Sequence, residues 1–387
     1  MRGLSRRCLS VSAAETAAAL ALPSAPLLAE SLRSARTLWG RSATSEGLDG
    51  LGSGTDGAGL AGATGPPAHR STVGGVSQSK LPVWAALVGS GLAGVLVALQ
   101  SRINGGLSQE LGNGYVTAAA SFGSGLVVMC LAMLISRRGR AGLRQIRTEV
   151  RSGSLPLWTL FGGAGGAFFV LAQGLVAPIT GLALFTVGIV AGQVLGGLVL
   201  DRVGLGPGGR IDPTPMRIAG TALAIVAVAL SVGLSGVHGV WLMVFPVVIG
   251  ALVSAQSMVN GLVRAAAQSA ITSTFVNFVV GTTILVVMAV VSVGVTGWPT
   301  EWPTAPYFYI GGIIGTLFIA IAAMLVRTAG VLLLSMSNVA GQLLASVAFE
   351  AGVPLAGGLT QGMIAGSAVA LLAVVIAALP GRRSSAA

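Results

Sequence analysis

The stretch LVALQSRINGGL, residues 96–107, places two side-chain amides inside an otherwise apolar segment. Gln100 and Asn104 lie four residues apart, so they share one face of a helix. In water this would need no explanation. In hydrocarbon each amide must find hydrogen-bond partners, because burying it unpaired costs several kcal/mol. The stretch therefore predicts either a polar site or a polar contact between helices.

The pattern occurs a second time, as LVSAQSMVNGL at residues 252–262. Gln256 and Asn260 have the same spacing as the first pair. A costly feature that recurs in one chain indicates an internal repeat.

The composition identifies an integral membrane protein. Of 387 residues, 53% are hydrophobic and 9% are charged, with a mean hydropathy of +0.87. Soluble domains carry about 25% charged residues. The apolar residues form segments of about 20, the length that crosses a ~30 Å hydrocarbon core.

The net charge of +11 does not indicate nucleic-acid binding. Most of the arginines lie in the N-terminal segment or in short loops, where cations orient a membrane protein. The two cysteines, Cys8 and Cys130, show no metal-ligand spacing, and we expect no metal or other cofactor. The lipid bilayer and a small-molecule substrate are the expected partners.

Ten apolar segments predict an all-α membrane fold with ten transmembrane helices. They lie near residues 83–101, 116–135, 157–176, 181–200, 217–234, 240–258, 274–293, 307–326, 330–349 and 360–380.

Charges in the loops predict the orientation. The connection at 137–151 carries six arginines, whereas the connection at 294–306 carries no Lys or Arg and contains Glu301. Because cytoplasmic loops are enriched in cations, these two loops should lie on opposite sides, with both termini cytoplasmic.

The two halves align at nearly constant offsets. At 156 residues, the first amide pair maps onto the second and Ser121 maps onto Asn277. At 149 residues, VAGQVLGGLVLD maps onto VAGQLLASVAFE. That match makes two further pairs equivalent: Gln193 with Gln342, and Asp201 with Glu350.

Each half contains five predicted helices, so the second copy must enter the membrane inverted. Inverted repeats are typical of secondary transporters, whose substrate site lies near the midplane between the halves. We expect a first repeat at 81–236, a second at 237–381 and a short cytoplasmic tail at 382–387. Residues 1–80 are predicted to be a disordered extension; their start resembles a signal peptide, and an upstream start codon is an alternative.

The elements Q-x-x-x-N-G, S-F-x-x-G and VAGQVLGGLVLDRVG resemble the YdcZ-type inner-membrane exporters of the drug/metabolite transporter superfamily. The resemblance covers residues 81–381 and implies a multi-pass protein of the bacterial inner membrane. Some members are single five-helix chains encoded in pairs, and a homodimer stays open for this chain. Arg102 stands where the family often has proline, and Glu350 replaces the aspartate found at Asp201.

The predicted function is export of a small metabolite or drug by alternating access between the two repeats. The substrate-cavity candidates are Gln100, Asn104, Gln256, Asn260, Gln193, Gln342, Ser121 and Asn277; the candidates for ion coupling are Asp201 and Glu350.

Several alternatives remain for these residues and for the chain. The amides can instead hold helices together, at roughly 0.6–2 kcal/mol each, and Asn104 and Asn260 can cap a following segment. The two acids can be plain helix-end charges. A non-transporting membrane scaffold is the alternative function. An enzyme is disfavoured, because the sequence contains no buried acid, base or metal set.

Overall fold

The computed structural model describes residues 82–204, 210, 212–235, 240–329 and 331–379, and within these ranges it contains helices and no strands. The predicted tails at 1–80 and 382–387 lie outside the described residues. The helices are α1 (Val83–Leu111), α2 (Gly114–Ile135), α3 (Arg137–Arg151), α4 (Gly163–Leu175), α5 (Ala177–Thr180), α6 (Leu182–Val203), α7 (Pro215–Ser235), α8 (Val244–Ala267), α9 (Ala270–Thr296), α10 (Gly311–Ala329), α11 (Val331–Gly352) and α12 (Gln361–Ala378).

Eight helical segments of the described chain are long and apolar enough to cross a membrane. They are Trp84–Leu111, Gly114–Ile135, Leu157–Thr180, Leu182–Val203, Pro215–Ser235, Trp241–Ala267, Ala270–Thr296 and Gln361–Ala378. The two remaining predicted spans coincide with α10 and with α11.

Two sequence-based boundaries are wrong. Hydropathy predicts that the first span ends at residue 101, but α1 continues to Leu111, so Gln100 and Asn104 lie within the helix. Asn260 likewise lies within α8. Neither asparagine therefore caps a following segment.

The arginine-rich connection after α2 is also different from the prediction. It is not a loop but the 15-residue helix α3. Ser136 begins it by accepting a hydrogen bond from the backbone N–H of Gly139, at 3.0 Å. Hydropathy identifies membrane spans and overlooks a polar helix of this kind.

Short polar caps separate consecutive membrane helices. Asn113 accepts hydrogen bonds from the backbone N–H groups of Tyr115 and Val116, both at 3.1 Å, at the start of α2. Ser269, its repeat equivalent, accepts from Thr272 at the start of α9. The free N–H groups at a helix start need such partners.

Glycine brings α1 against α11. A Cβ on Gly94 would overlap the carbonyl oxygen of Asn338 and lie 2.8 Å from the backbone nitrogen of Gln342. Ser90 Oγ donates to the carbonyl oxygen of Leu334, at 2.6 Å. Small residues let backbones approach in membranes, where no hydrophobic effect drives helices together.

The same arrangement joins α8 to α6. A Cβ on Gly250, 156 residues after Gly94, would overlap the carbonyl oxygen of Ile189 and lie 2.9 Å from the backbone nitrogen of Gln193. Ile189 and Gln193 are in turn the equivalents of the α11 residues that face Gly94. The first helix of each half is thus packed against the fourth predicted span of the other half.

Helices α2 and α9 pack antiparallel. The rings of Phe122 and Phe278, which are repeat equivalents, have centroids 5.0 Å apart. Asn113 Nδ2, at the start of α2, donates to Ser292 Oγ near the end of α9, at 3.1 Å. Helices α7 and α12 also pack antiparallel, with Gly220 against the carbonyl oxygen of Ala373.

The outward surface of the helices is apolar. Val287, Val291 and Val295 on α9 are 58%, 64% and 83% exposed. A continuous exposed apolar surface of this kind marks contact with lipid.

We expect Gly94→Ala to destabilise the protein by about 1–3 kcal/mol, because the added methyl overpacks the contact between α1 and α11. Gly123→Ala on α2 is the matched control, since a Cβ there meets nothing within 4 Å. The midpoint of thermal unfolding in detergent measures both. Equal midpoints for the two variants would contradict the proposed role of the contact.

Candidate functional site

The first amide pair lies in a fully packed environment. Gln100 is 5% exposed and Asn104 is 0% exposed. Asn104 Nδ2 donates to Gln173 Oε1 at 2.7 Å, and Gln173 Nε2 donates to Ser101 Oγ at 2.8 Å. A chain of amides therefore links α1 to α4.

Gln173 was missed by the sequence analysis. It is completely buried on α4, and its repeat counterpart is Ala322, so the repeat gave no indication of it. The available signal was a lone amide in the apolar stretch FFVLAQGLVAP, where the cost of burial requires a partner. We call Ser101, Asn104 and Gln173 the amide clasp.

Ser108 adds to the same contact. Its Oγ donates to the carbonyl oxygen of Gly174 at 2.6 Å, one turn further along α1. The clasp and this bond together hold the C-terminal half of α1 against the end of α4.

Ser121 lies beside Asn104. A Cβ on Gly311 would overlap Asn104 Oδ1 and lie 2.9 Å from Ser121 Oγ. Both oxygens are buried and have no hydrogen-bond partner among the described residues. Gly315, one turn along α10, lets the amide of Gln100 approach in the same way.

The second amide pair has the equivalent arrangement. Asn260 Oδ1 and Asn277 Oδ1 lie 3.2 and 3.4 Å from the position of a Cβ on Gly162, the counterpart of Gly311. The Nε2 atom of Gln256 lies 2.7 Å from the position that a Cβ on Gly166 would occupy. The structure therefore brings together Gln100, Asn104 and Ser121 in one set, and Gln256, Asn260 and Asn277 in the other.

The two sets differ in accessibility. Gln256 and Asn260 are partly exposed, whereas Gln100 and Asn104 are buried. The contrast extends to Ser257, which is exposed although its counterpart Ser101 is 1% exposed.

The connection after α11 is hydrogen-bonded to the C-terminal half of α1, the helix that carries Gln100 and Asn104. Arg102 Nε donates to the carbonyl oxygen of Val353 at 2.6 Å, and Gln109 Nε2 donates to that of Leu355 at 2.7 Å. The counterparts of Arg102 and Gln109 are Met258 and Ala265, whose side chains carry no such donors. These fastenings therefore belong to the first repeat alone.

Glu350 lies in the last turn of α11, at the helix end where the sequence placed it, but it is 0% exposed rather than a solvated end charge. Its carboxylate accepts the backbone N–H of Leu182, at 2.6 Å, and that of Ala356, at 3.3 Å. Leu182 is the first residue of α6. The negative charge thus lies at the positive end of that helix dipole and caps it.

Asp201 has a different environment, although it is the repeat equivalent of Glu350. Its Oδ2 lies 2.5 Å from Arg217 Nη1, and both side chains are about one-third exposed. Asp201 therefore belongs to an accessible ion pair, where each charge keeps contact with solvent.

Gln193 and Gln342 lie away from the two sets, on α6 and α11. Gln342 is buried, whereas Gln193 is partly exposed. Their backbones form the close contacts with Gly250 and Gly94, and the carbonyl oxygen of Gln193 accepts Ser254 Oγ at 2.8 Å. Within the described ranges, no group of three His, Cys, Asp or Glu side chains could hold a metal ion.

The clasp should contribute measurably to stability. Gln173→Leu leaves the Asn104 amide buried and unpaired, which costs about 1–3 kcal/mol. In a double-mutant cycle with Asn104→Leu, we expect a coupling of roughly 0.6–2 kcal/mol. Unfolding in detergent measures each variant. Ser101→Ala should also destabilise, with Ser257→Ala as its neutral control, and a coupling of zero would contradict the clasp.

Comparison with known proteins agrees with this architecture. The model of the family described as "Putative inner membrane exporter, YdcZ" matches residues 85–230 and again residues 241–380. No curated protein matches the chain.

One solved structure, a crystal structure titled only as that of a protein, is similar over 78% of this chain and 99% of its own. The TM-score is 0.50 and the sequence identity is 17%, so the likeness concerns the fold alone. The two family matches cover most of the chain, one for each half. The chain therefore belongs to the YdcZ family of inner-membrane exporters and contains two copies of its module.

Proposed function

We propose that this protein is a secondary transporter that exports a small metabolite or drug by alternating access between two inverted five-helix repeats. The observation that carries the proposal is the unequal state of two equivalent polar sets. In the first set Gln100, Asn104 and Ser121 are all buried, whereas in the second Asn277 is buried but Gln256 and Asn260 are partly exposed. Alternating access requires two half-pathways of this kind, closed in turn.

Inverted insertion with ten spans is part of the proposal. It is supported by the antiparallel packing of α2 and α9, which are equivalent helices of the two halves. Helix α3 carries six arginines, whereas the segment 294–306 at the end of α9 carries no Lys or Arg. This difference favours a cytoplasmic position for α3 and for both termini, with 294–306 on the opposite side of the membrane.

Single cysteines at Gln145 and Glu301 should report opposite compartments. Both side chains are exposed, so a membrane-impermeant maleimide reaches each from one side only. In intact cells we expect labelling of the Glu301→Cys variant and not of Gln145→Cys. Permeabilised cells are the control, in which both must react. Equal labelling in intact cells would exclude inversion.

The packing favours a particular division into moving bodies. Helix α1 is locked to α11 and packs on α10, whereas α8 is locked to α6 and packs on α4. Each body therefore combines helices from both repeats. The amide clasp joins the two bodies, because α1 and α4 belong to different ones.

The solute itself is expected to be neutral or zwitterionic. The candidate sets supply amide and hydroxyl groups, which donate and accept hydrogen bonds without a net charge. Glu350 remains the stronger of the two predicted coupling groups, because it is buried whereas Asp201 is paired at an accessible site.

A metal bridge across the clasp should stop alternation. With Ser101→His and Gln173→His, Ni²⁺ would hold α1 against α4 and suppress maleimide labelling of a Ser121→Cys reporter. The matched pair Leu87→His and Ser337→His joins α1 to α11 within one body, where Ser337 Oγ already donates to the carbonyl oxygen of Leu87 at 2.6 Å. That bridge should leave labelling unchanged.

The background for this experiment lacks Cys8 and Cys130, and EDTA must reverse the effect. Proteoliposome counterflow of a panel of radiolabelled neutral and zwitterionic metabolites gives the second readout. If neither Ni²⁺ bridge changes the maleimide labelling of the reporter, and if counterflow detects no exchanged solute, a static membrane scaffold is favoured instead.

A further inference from the structure

Five arginines form a single line along α3. They are separated by alternating steps of three and four residues and are all exposed: Arg137, Arg140, Arg144, Arg147 and Arg151. At 3.6 residues per turn these positions fall within an arc of about 80°. Arg138, the sixth arginine, lies on the other flank. We call the five residues the arginine stripe.

The opposite face of α3 is fixed to the membrane helices. Gly139, Gly142 and Ile146 are buried. Thr272 Oγ1 donates to the carbonyl oxygen of Gly139 at 2.9 Å, and a Cβ on Gly142 would lie 2.9 Å from the carbonyl oxygen of Ala267. Because the helix cannot rotate, the stripe has one fixed orientation.

The stripe begins where the lipid-facing surface ends. Leu134 and Ile135, the last residues of α2, are 71% and 84% exposed, and α3 starts two residues after Ile135. Arg140 Nη1 donates to the carbonyl oxygens of Met133, at 3.1 Å, and of Leu134. The arginines therefore start at the level where hydrocarbon gives way to headgroups.

The described part of the chain does not neutralise these charges. Glu149 is the only acid on α3. The ion pairs found among the described residues involve Arg202, Arg210 and Arg217 and none of the stripe. Like charges three and four residues apart on a helix repel one another, so an outside anion would stabilise the arrangement.

We infer that the arginine stripe binds the phosphate groups of anionic phospholipids in the leaflet on its side of the membrane. Guanidinium groups bind phosphate oxygens in a bidentate manner, and basic clusters beside a membrane helix attract anionic lipid. The rule that cytoplasmic segments are enriched in Lys and Arg depends on the number of cations, and the face of the helix on which they lie does not matter to it. The buried face of α3 explains why polar residues follow a three-four spacing, and the binding of a row of headgroups explains why every position on that line is arginine.

Spin-labelled phosphatidylglycerol and phosphatidylcholine, compared in vesicles containing the full chain, test this inference. The wild type should prefer phosphatidylglycerol. The Arg137→Gln, Arg144→Gln, Arg147→Gln, Arg151→Gln variant should reduce that preference by roughly tenfold or more. Arg140 is left intact because it caps α2.

Two controls separate the stripe from folding and from net charge. The same four positions changed to Lys should keep most of the preference, and Arg138→Gln should keep all of it. Unfolding midpoints show whether each variant is folded. A wild type without lipid preference, or a preference that Arg138→Gln lowers as much as Arg144→Gln does, would overturn the inference. Retention of a labelled oligonucleotide in place of lipid preference would also overturn it.

Discussion

The close approach of α1 to α11, and of α8 to α6, is the constraint on which the architecture depends. In lipid the main attraction between helices comes from packing and polar bonds, so backbones must come near enough to use both. Gly94 and Gly250 meet that requirement at equivalent positions. Because each contact joins one half to the other, the halves are interlocked rather than placed side by side.

Interlocking also decides where the polar residues lie. The amides of α1 and α8 face glycines on helices of the opposite half, so each of these polar contacts is also a contact between copies. The first of these contacts is reinforced by Gln173, and its helix α1 is also tied to the connection after α11 through Arg102. The second is left open. A symmetric scaffold thus carries an asymmetric set of bonds.

Repeat spacing identified from the sequence most of the polar residues that the structure groups into the two candidate sets. The offset that relates Gln100 to Gln256 also identified Ser121 and Asn277, and the structure brings each beside its asparagine. Gln173 escaped because the second copy has an alanine there. Hydropathy correctly puts Glu350 at the end of its helix, but its burial against the start of α6 depends on tertiary packing that no hydropathy window contains.

The arginine-rich helix was overlooked for a related reason. Its composition resembles a loop, and only the three-four spacing of its arginines distinguishes a helix with a buried face. At the boundary between lipid and water, the spacing of polar residues indicates a helix as well as the spacing of apolar residues does.

The one-sided clasp has an energetic consequence for a fused chain. Two identical modules in antiparallel association would make both directions of opening equal in free energy, apart from the different media on the two sides. In the proposed transport cycle, the bonds of Gln173 and Arg102 would lower the free energy of one state only and so would give the protein without solute a preferred resting state. Gene fusion thus permits a ratchet-like bias that a pair of identical subunits cannot encode.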